Sequence, residues 1–224
     1  MDRSRLGRAA REALAVVFPV ECAGCGRTDA PVCSECLAAM TGPVEHRDLD
    51  PGFPVWAGTS YSGPARRAIL ALKNDQRTDV ARALAGVLRP AISAAVADGE
   101  SRGAVHAGLL LATVPSSRAA YRRRGYRPVD AVVKRTGLEF CRPLAIASQP
   151  LDQIGLGIAA REANIAGALR SRRARDDRLF LLVDDVVTTG GTLREARRAL
   201  VEAGGSVVGA AVIAATPRHS PPGR

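Results

Sequence analysis

Apolar positions along this chain fall into short unbroken runs and into longer stretches with helical spacing, and their alternation predicts an α/β fold. Leu179–Val183 (LFLLV) is continuously apolar, as strands buried on both faces of a parallel sheet are. Ala107 to Val114, with its GLLLATV, reads the same way, and Val207 to Ala214 supplies a further buried strand. Val55 to Tyr61 reads as a strand or a hairpin edge. Between these runs, Pro64 opens a helix that places Ile69, Leu70 and Leu72 on one side. A second helical pattern runs from Asp79 to about Val96, with Pro90 expected to kink or split it. Leu193 to Ala203 forms a last helix, stopped by Gly204 and Gly205. Near the start, Leu6 to Phe18 suggests a short amphipathic helix that packs on its neighbour or mediates self-association. Thr41 to Pro54 is polar and proline-punctuated and reads as connection, and residues 217–224 are too polar and Pro-rich to pack.

Chemistry enters where the run Leu179–Val183 meets Asp184 and Asp185. The carboxyl end of a strand is where open α/β sheets place ligands, and adjacent strand residues point opposite ways, so the two acids cannot do the same job. Thr188, Thr189, Gly190, Gly191 and Thr192 follow, offering hydroxyls and unobstructed N–H groups just before a helix, which makes a phosphate cradle. Acids beside such a cradle fit a ribose 5-phosphate, with carboxylates on the 2- and 3-hydroxyls or on a bound magnesium. A Walker-type loop is disfavoured because no Lys precedes the Ser/Thr, and the G-x-G-x-x-G dinucleotide spacing is absent.

A second cluster stands earlier in the chain. Cys22, Cys25, Cys33 and Cys36 form two CxxC pairs whose thiolates can close a tetrahedral, structural zinc site. Gly24 and Gly26 relax the turn and let N–H groups point at sulfur. Two disulfides or two redox pairs are the alternatives. Met1 to Phe18 carries an acid, several arginines and only a short apolar run, so no signal peptide is read there; zinc and a cytoplasmic protein are expected. Cys141, far from the cluster, is expected to be a small core residue. His46, His106 and His219 have no recognisable ligand spacing.

At 224 residues and 46% hydrophobic content, the chain can bury one core and carry a small appendage. Its hydrophobic runs end short of a membrane span. The net charge of +10 comes almost wholly from arginine, since Lys73 and Lys134 are the only lysines. With 4% aromatic residues there is little for a base-stacking platform. Salt-sensitive binding to a nucleic-acid backbone stays open.

The stretch VDDVVTTGGT resembles the phosphoribosyl pyrophosphate signature of type I phosphoribosyltransferases, and the whole chain resembles the ComF family of competence-associated proteins. That resemblance implies a parallel sheet flanked by helices over residues 55–216, a zinc module with its connection over 1–54, and a flexible tail at 217–224. It implies catalytic roles for Asp184 and Asp185. It also implies a pyrophosphate loop at Ser116, Ser117 and Arg118, on the family's VP…R…RG pattern, with Tyr126-Arg127-Pro128 where the family has Phe-Asn-Gln. Arg122, Arg123 and Arg124 are read either as a solvated helix face or as part of that basic segment. Gln153, Leu156, Arg161 and Asn164 match the family's flexible loop, with Pro150 in the usual Thr place. Two functions follow from the resemblance. One is a magnesium-dependent phosphoribosyltransferase for an unidentified acceptor, with the zinc unit and Val55–Lys73 as the acceptor hood. The other is a non-enzymatic sensor or scaffold in DNA uptake, with competence-machinery partners and weak DNA binding.

Overall fold

The computed structural model describes residues 20–28, 30–103, 109–147, 167–171 and 178–217. The elements in order are α1 (Ser34–Met40), β1 (Glu45–Asp50), β2 (Phe53–Ser60), α2 (Gly63–Asn74), α3 (Ala81–Ser101), β3 (Leu109–Thr113), α4 (Arg118–Arg124) and α5 (Pro128–Thr136). They continue with β4 (Phe140–Cys141), β5 (Leu144–Ile146), β6 (Leu169–Ser171), β7 (Leu179–Val187), α6 (Gly191–Val201) and β8 (Ser206–Ala215). The expected helix at Leu6–Phe18 lies outside the described residues.

Six strands make one sheet in the order β1-β2-β8-β7-β3-β4, and β5 pairs with β6 in a separate ribbon. From β2 to β4 every pairing is parallel, while β1 adds to β2 antiparallel, so the sheet is mixed. The unbroken apolar run of β7 has a direct cause, because successive side chains point to opposite faces. Leu181 and Val183 pack with α2, α3 and α5, while Phe180 and Leu182 pack with α6 on the other side. Both faces are covered, so neither tolerates a polar residue.

Three expectations needed correction. Residues 41–54 are more than a connection, since β1 lies within them; its sequence EHRDLD is polar because an edge strand keeps much of its surface in water. Pro90 does not split the helix: α3 runs unbroken from Ala81 to Ser101, and the ring sits on its exposed side. Cys141 is only half-buried. The stretch Thr78–Ser101 is also long and apolar enough to cross a membrane by composition, yet half of its most apolar window is buried inside the protein. Its apolar face belongs to a core helix packed on β2, β8 and α5.

The contact between α3 and β2 depends on Gly58. A Cβ at that position would stand 2.0 Å from the Val87 carbonyl oxygen, which is backbone and cannot swing away. Gly58→Ala should therefore destabilise the fold by roughly 3 kcal/mol, the upper end of overpacking penalties. Urea unfolding checks this, and a loss below about 1 kcal/mol would contradict the close approach.

Candidate functional site

β7 does not stop at Val183; it continues through Asp184 and Asp185 to Val187. Its neighbour β3 stops sooner, at Thr113 opposite Val183, whereas β8 stays paired with β7 up to Val187. Both acids therefore stand where one flank of β7 has just lost its partner. Asp184 accepts the N–H of Asp185 at 2.8 Å, and Asp185 forms an ion pair of 2.8 Å with Lys73 at the end of α2. The adjacent carboxyls thus have different partners.

Burial, and then the neighbouring Asp185 carboxylate, push Asp184 from 3.8 up to about 8, against the opposing pull of the Asp185 N–H and Lys73. The fold therefore favours neutral Asp184. That contribution to stability is complete below the ordinary carboxyl range and is lost as pH rises through about 8. In metal-free buffer, Asp184→Asn should gain melting temperature over the parent as pH is raised from about 5 to about 8. A difference that stays constant across this window would contradict the shift.

The Thr/Gly loop is braced by residues the sequence reading did not single out. Gly190 caps α6 in the left-handed region at φ 89°, and a Cβ there would lie 2.6 Å from the Leu49 side chain. Arg47 of β1 donates to the Val187 carbonyl at 2.7 Å. Arg194 of α6 donates to the Thr189 carbonyl and the Leu49 carbonyl, both at 2.9 Å, and pairs with Asp50 at 3.0 Å. With the backbone fixed from both sides, Thr188, Thr189 and Thr192 remain exposed to meet a ligand, and Gly191 starts α6.

The loop expected to grip pyrophosphate leaves β3 beside the acids, because the Val114 N–H donates to the carbonyl of Val183 at 3.0 Å. Ser116 is half-buried and Arg118 is exposed. Ser117 accepts the Ala120 N–H at 3.1 Å and so caps α4. The three arginines after it divide. Arg122 and Arg123 are exposed, while Arg124 donates to the Lys73 carbonyl and Tyr126 donates its hydroxyl to the Leu72 carbonyl. Arg124 is thus a tether to α2. Gln153, Leu156, Arg161 and Asn164 lie outside the described residues.

Cys22, Cys25, Cys33 and Cys36 converge, with all four sulfurs within 4.8 Å of one another. The Cys25 and Cys33 sulfurs are 3.7 Å apart, too far for a disulfide. Burial opposes ionisation of Cys22, but N–H donors from Cys33, Gly24 and Cys25 outweigh it and hold that thiol at about 6. Burial and the surrounding cysteines push Cys36 up to about 12. Gly24 is required by the packing, since a Cβ there would sit 2.5 Å from the Cys36 sulfur. The cluster is fastened to the rest of the fold by Arg67, which donates to the Gly24 carbonyl, and by Arg77, which donates to the Glu21 carbonyl at 2.9 Å.

Comparison with known proteins agrees with this geometry. Residues 119–222 match the phosphoribosyl transferase domain family. An adenine phosphoribosyltransferase of Nocardia farcinica (strain IFM 10152) is 34% identical over 118 residues, covering 53% of this chain. The chain spans about half, 51%, of the length of that relative. An acid pair at a parallel strand's end, a Thr/Gly loop opening a helix and this family match point one way: the chain carries a phosphoribosyltransferase-like domain, preceded by a four-cysteine cluster able to chelate a metal ion.

Proposed function

We propose that the domain binds phosphoribosyl pyrophosphate or a ribose 5-phosphate, with magnesium, and transfers the phosphoribosyl group to an acceptor. The observation that carries this is the placement of Asp184 and Asp185 near the end of β7, separated by Val186 and Val187 from a braced Thr/Gly loop. In this reading the carboxyls meet the ribose hydroxyls, and Thr188–Thr192 donate hydroxyls and N–H groups to the 5-phosphate. Ser116, Ser117 and Arg118 hold the pyrophosphate as the bond at ribose C1 breaks and positive charge develops on the sugar. Magnesium, when bound, supplies positive charge to the pyrophosphate. Little covalent chemistry is asked of the protein, so fixed donors and orientation carry the rate. The named activity of the Nocardia farcinica relative makes adenine the first acceptor to try. The test is release of pyrophosphate from phosphoribosyl pyrophosphate with a panel of purines, pyrimidines and amines. Turnover with one acceptor supports transfer; binding without turnover supports a sensor.

The four cysteines are proposed to hold a structural zinc. Tetrahedral coordination at a Zn–S distance of about 2.3 Å places sulfurs about 3.8 Å apart, close to the 3.7 Å between Cys25 and Cys33.

A second reading, a DNA-uptake protein of ComF type with backbone-level nucleic-acid binding, is favoured by one feature. A cleft of about 630 Å³ is lined by Arg127, Lys134, Arg135 and Arg142, with Asp130 as the only acid among the described residues that line it. Asp130 is already engaged by Arg142 at 2.6 Å. Single-stranded DNA should then bind with little sequence preference and weaken steeply with salt. Reversing the charges of Lys134 and Arg135 should lower the salt slope by about 2. Sequence-selective binding that persists at high salt, or an unchanged slope, would contradict this reading.

A further inference from the structure

We infer that Lys73, which stands before the segment matching the family, is a positioning residue of the ribose site and holds Asp185 in the orientation that meets the sugar hydroxyls. The inference rests on the ribose-phosphate reading above and adds to it a residue from the other half of the chain.

The geometry is specific. Lys73 Nζ lies 2.8 Å from Asp185 Oδ2, and the two side chains are 30% and 14% exposed, so the acid is mostly shielded while the lysine keeps part of its contact with water. Asp184 has its own partner in the Asp185 N–H. Lys73 thus engages one acid of the pair and separates their roles. Its backbone is also fixed: Arg124 donates to the Lys73 carbonyl and Tyr126 to the carbonyl of Leu72. Both tethers come from the segment that follows the pyrophosphate loop, so that segment holds the Lys73 backbone while β7 engages its ammonium. Residue choice points the same way. Only two of the 32 basic residues are lysines. A guanidinium would present a wide, planar fork to both carboxyls, whereas an ammonium is a compact point charge that addresses one oxygen and leaves the other free for a ligand.

The test measures, on the full chain, calorimetric affinity for ribose 5-phosphate and, separately, for inorganic phosphate as a probe of the Thr/Gly loop alone. Lys73→Met should weaken ribose 5-phosphate about tenfold, the loss expected for one charged hydrogen bond. It should leave inorganic phosphate within about twofold, which also shows that the variant is folded. In an Asp185→Asn background, Lys73→Met should cause no further loss, because the interaction it removes is already gone. Lys73→Arg should recover part of the affinity. If Asp185→Asn weakens ribose 5-phosphate but Lys73→Met does not, the inference about Lys73 fails and the ribose site stands. If Lys73→Met weakens both ligands alike, its role is general support of the fold and the inference is overturned. If the parent protein does not bind ribose 5-phosphate, the underlying reading fails and this inference with it.

Discussion

Replacing Asp184 and Asp185 together with alanine should lower affinity for phosphoribosyl pyrophosphate at least roughly one hundredfold. Hydrogen bonds to charged groups contribute about 1.5–3 kcal/mol each, and about 1.4 kcal/mol is tenfold in binding. Measured above about pH 8, where Asp184 carries its charge, two lost contacts therefore exceed two decades if each acid meets the sugar. The same substitutions have little reason to unfold the domain. They remove a carboxyl that burial already drives toward its neutral form and another whose partner, Lys73, reaches solvent. Calorimetry with magnesium and the ligand gives the affinity, and a melting curve shows that the variant is folded. A folded double variant that binds within a few-fold of the parent would remove the acids from the ribose site. It would also leave the Thr/Gly loop as a phosphate cradle without sugar selectivity.

The second large effect concerns the cysteines. Freshly reduced, zinc-supplemented protein should contain one zinc per chain, and Cys25→Ser should lose it. Zinc binding in small cysteine-rich modules contributes about 10–16 kcal/mol, and that free energy is folding free energy for the module. Among the described residues before β1, only Cys22, Cys36 and Met40 are buried hydrophobics, too few to hold a fold without metal. Hydrogen exchange should therefore rise first over residues 20–40 and only afterwards over β3 and β7. Loosening should reach α2 through the Arg67 tether to the Gly24 carbonyl, and the turn after α2 through the Arg77 tether to the Glu21 carbonyl. Absence of stoichiometric metal, or unchanged exchange in Cys25→Ser, would overturn this assignment.

Much of the site was legible because its determinants are local. The strand of β7, the acids after its apolar run and the Thr/Gly loop sit within one short stretch, and the two CxxC pairs announce their cluster by spacing alone. Their partners were not legible. Arg47, Leu49 and Asp50 brace the loop from a strand whose polar sequence resembles a linker, and only tertiary pairing with β2 makes it a strand. Lys73 follows the apolar side of α2, and nothing in helical spacing says which acid it will meet. Arg124 sits in a run of three arginines that looks uniformly solvated, yet the fold singles it out as a tether. Pro90 marks no break, because α3 continues through it with the ring on the exposed side.

The sheet order also governs how the chain can be made. β2 has no parallel neighbour other than β8, and Val55 pairs with Ala210. A ribosome adding about 5–20 residues per second makes Val55 roughly 10–30 seconds before its partner exists. During that interval Trp56, Ile69, Leu72, Leu84 and Leu88 have no sheet centre to cover them, although all are buried in the finished fold. The cysteine cluster, α1 and α2 are synthesised early and adjoin one another, so metal capture, like the local β1–β2 pairing, can order the amino-terminal part of the nascent chain before β8 arrives. Zinc supply during synthesis should then determine yield as well as stability, through the fraction of chains that keep their amino-terminal half out of aggregates until the last strand is in place.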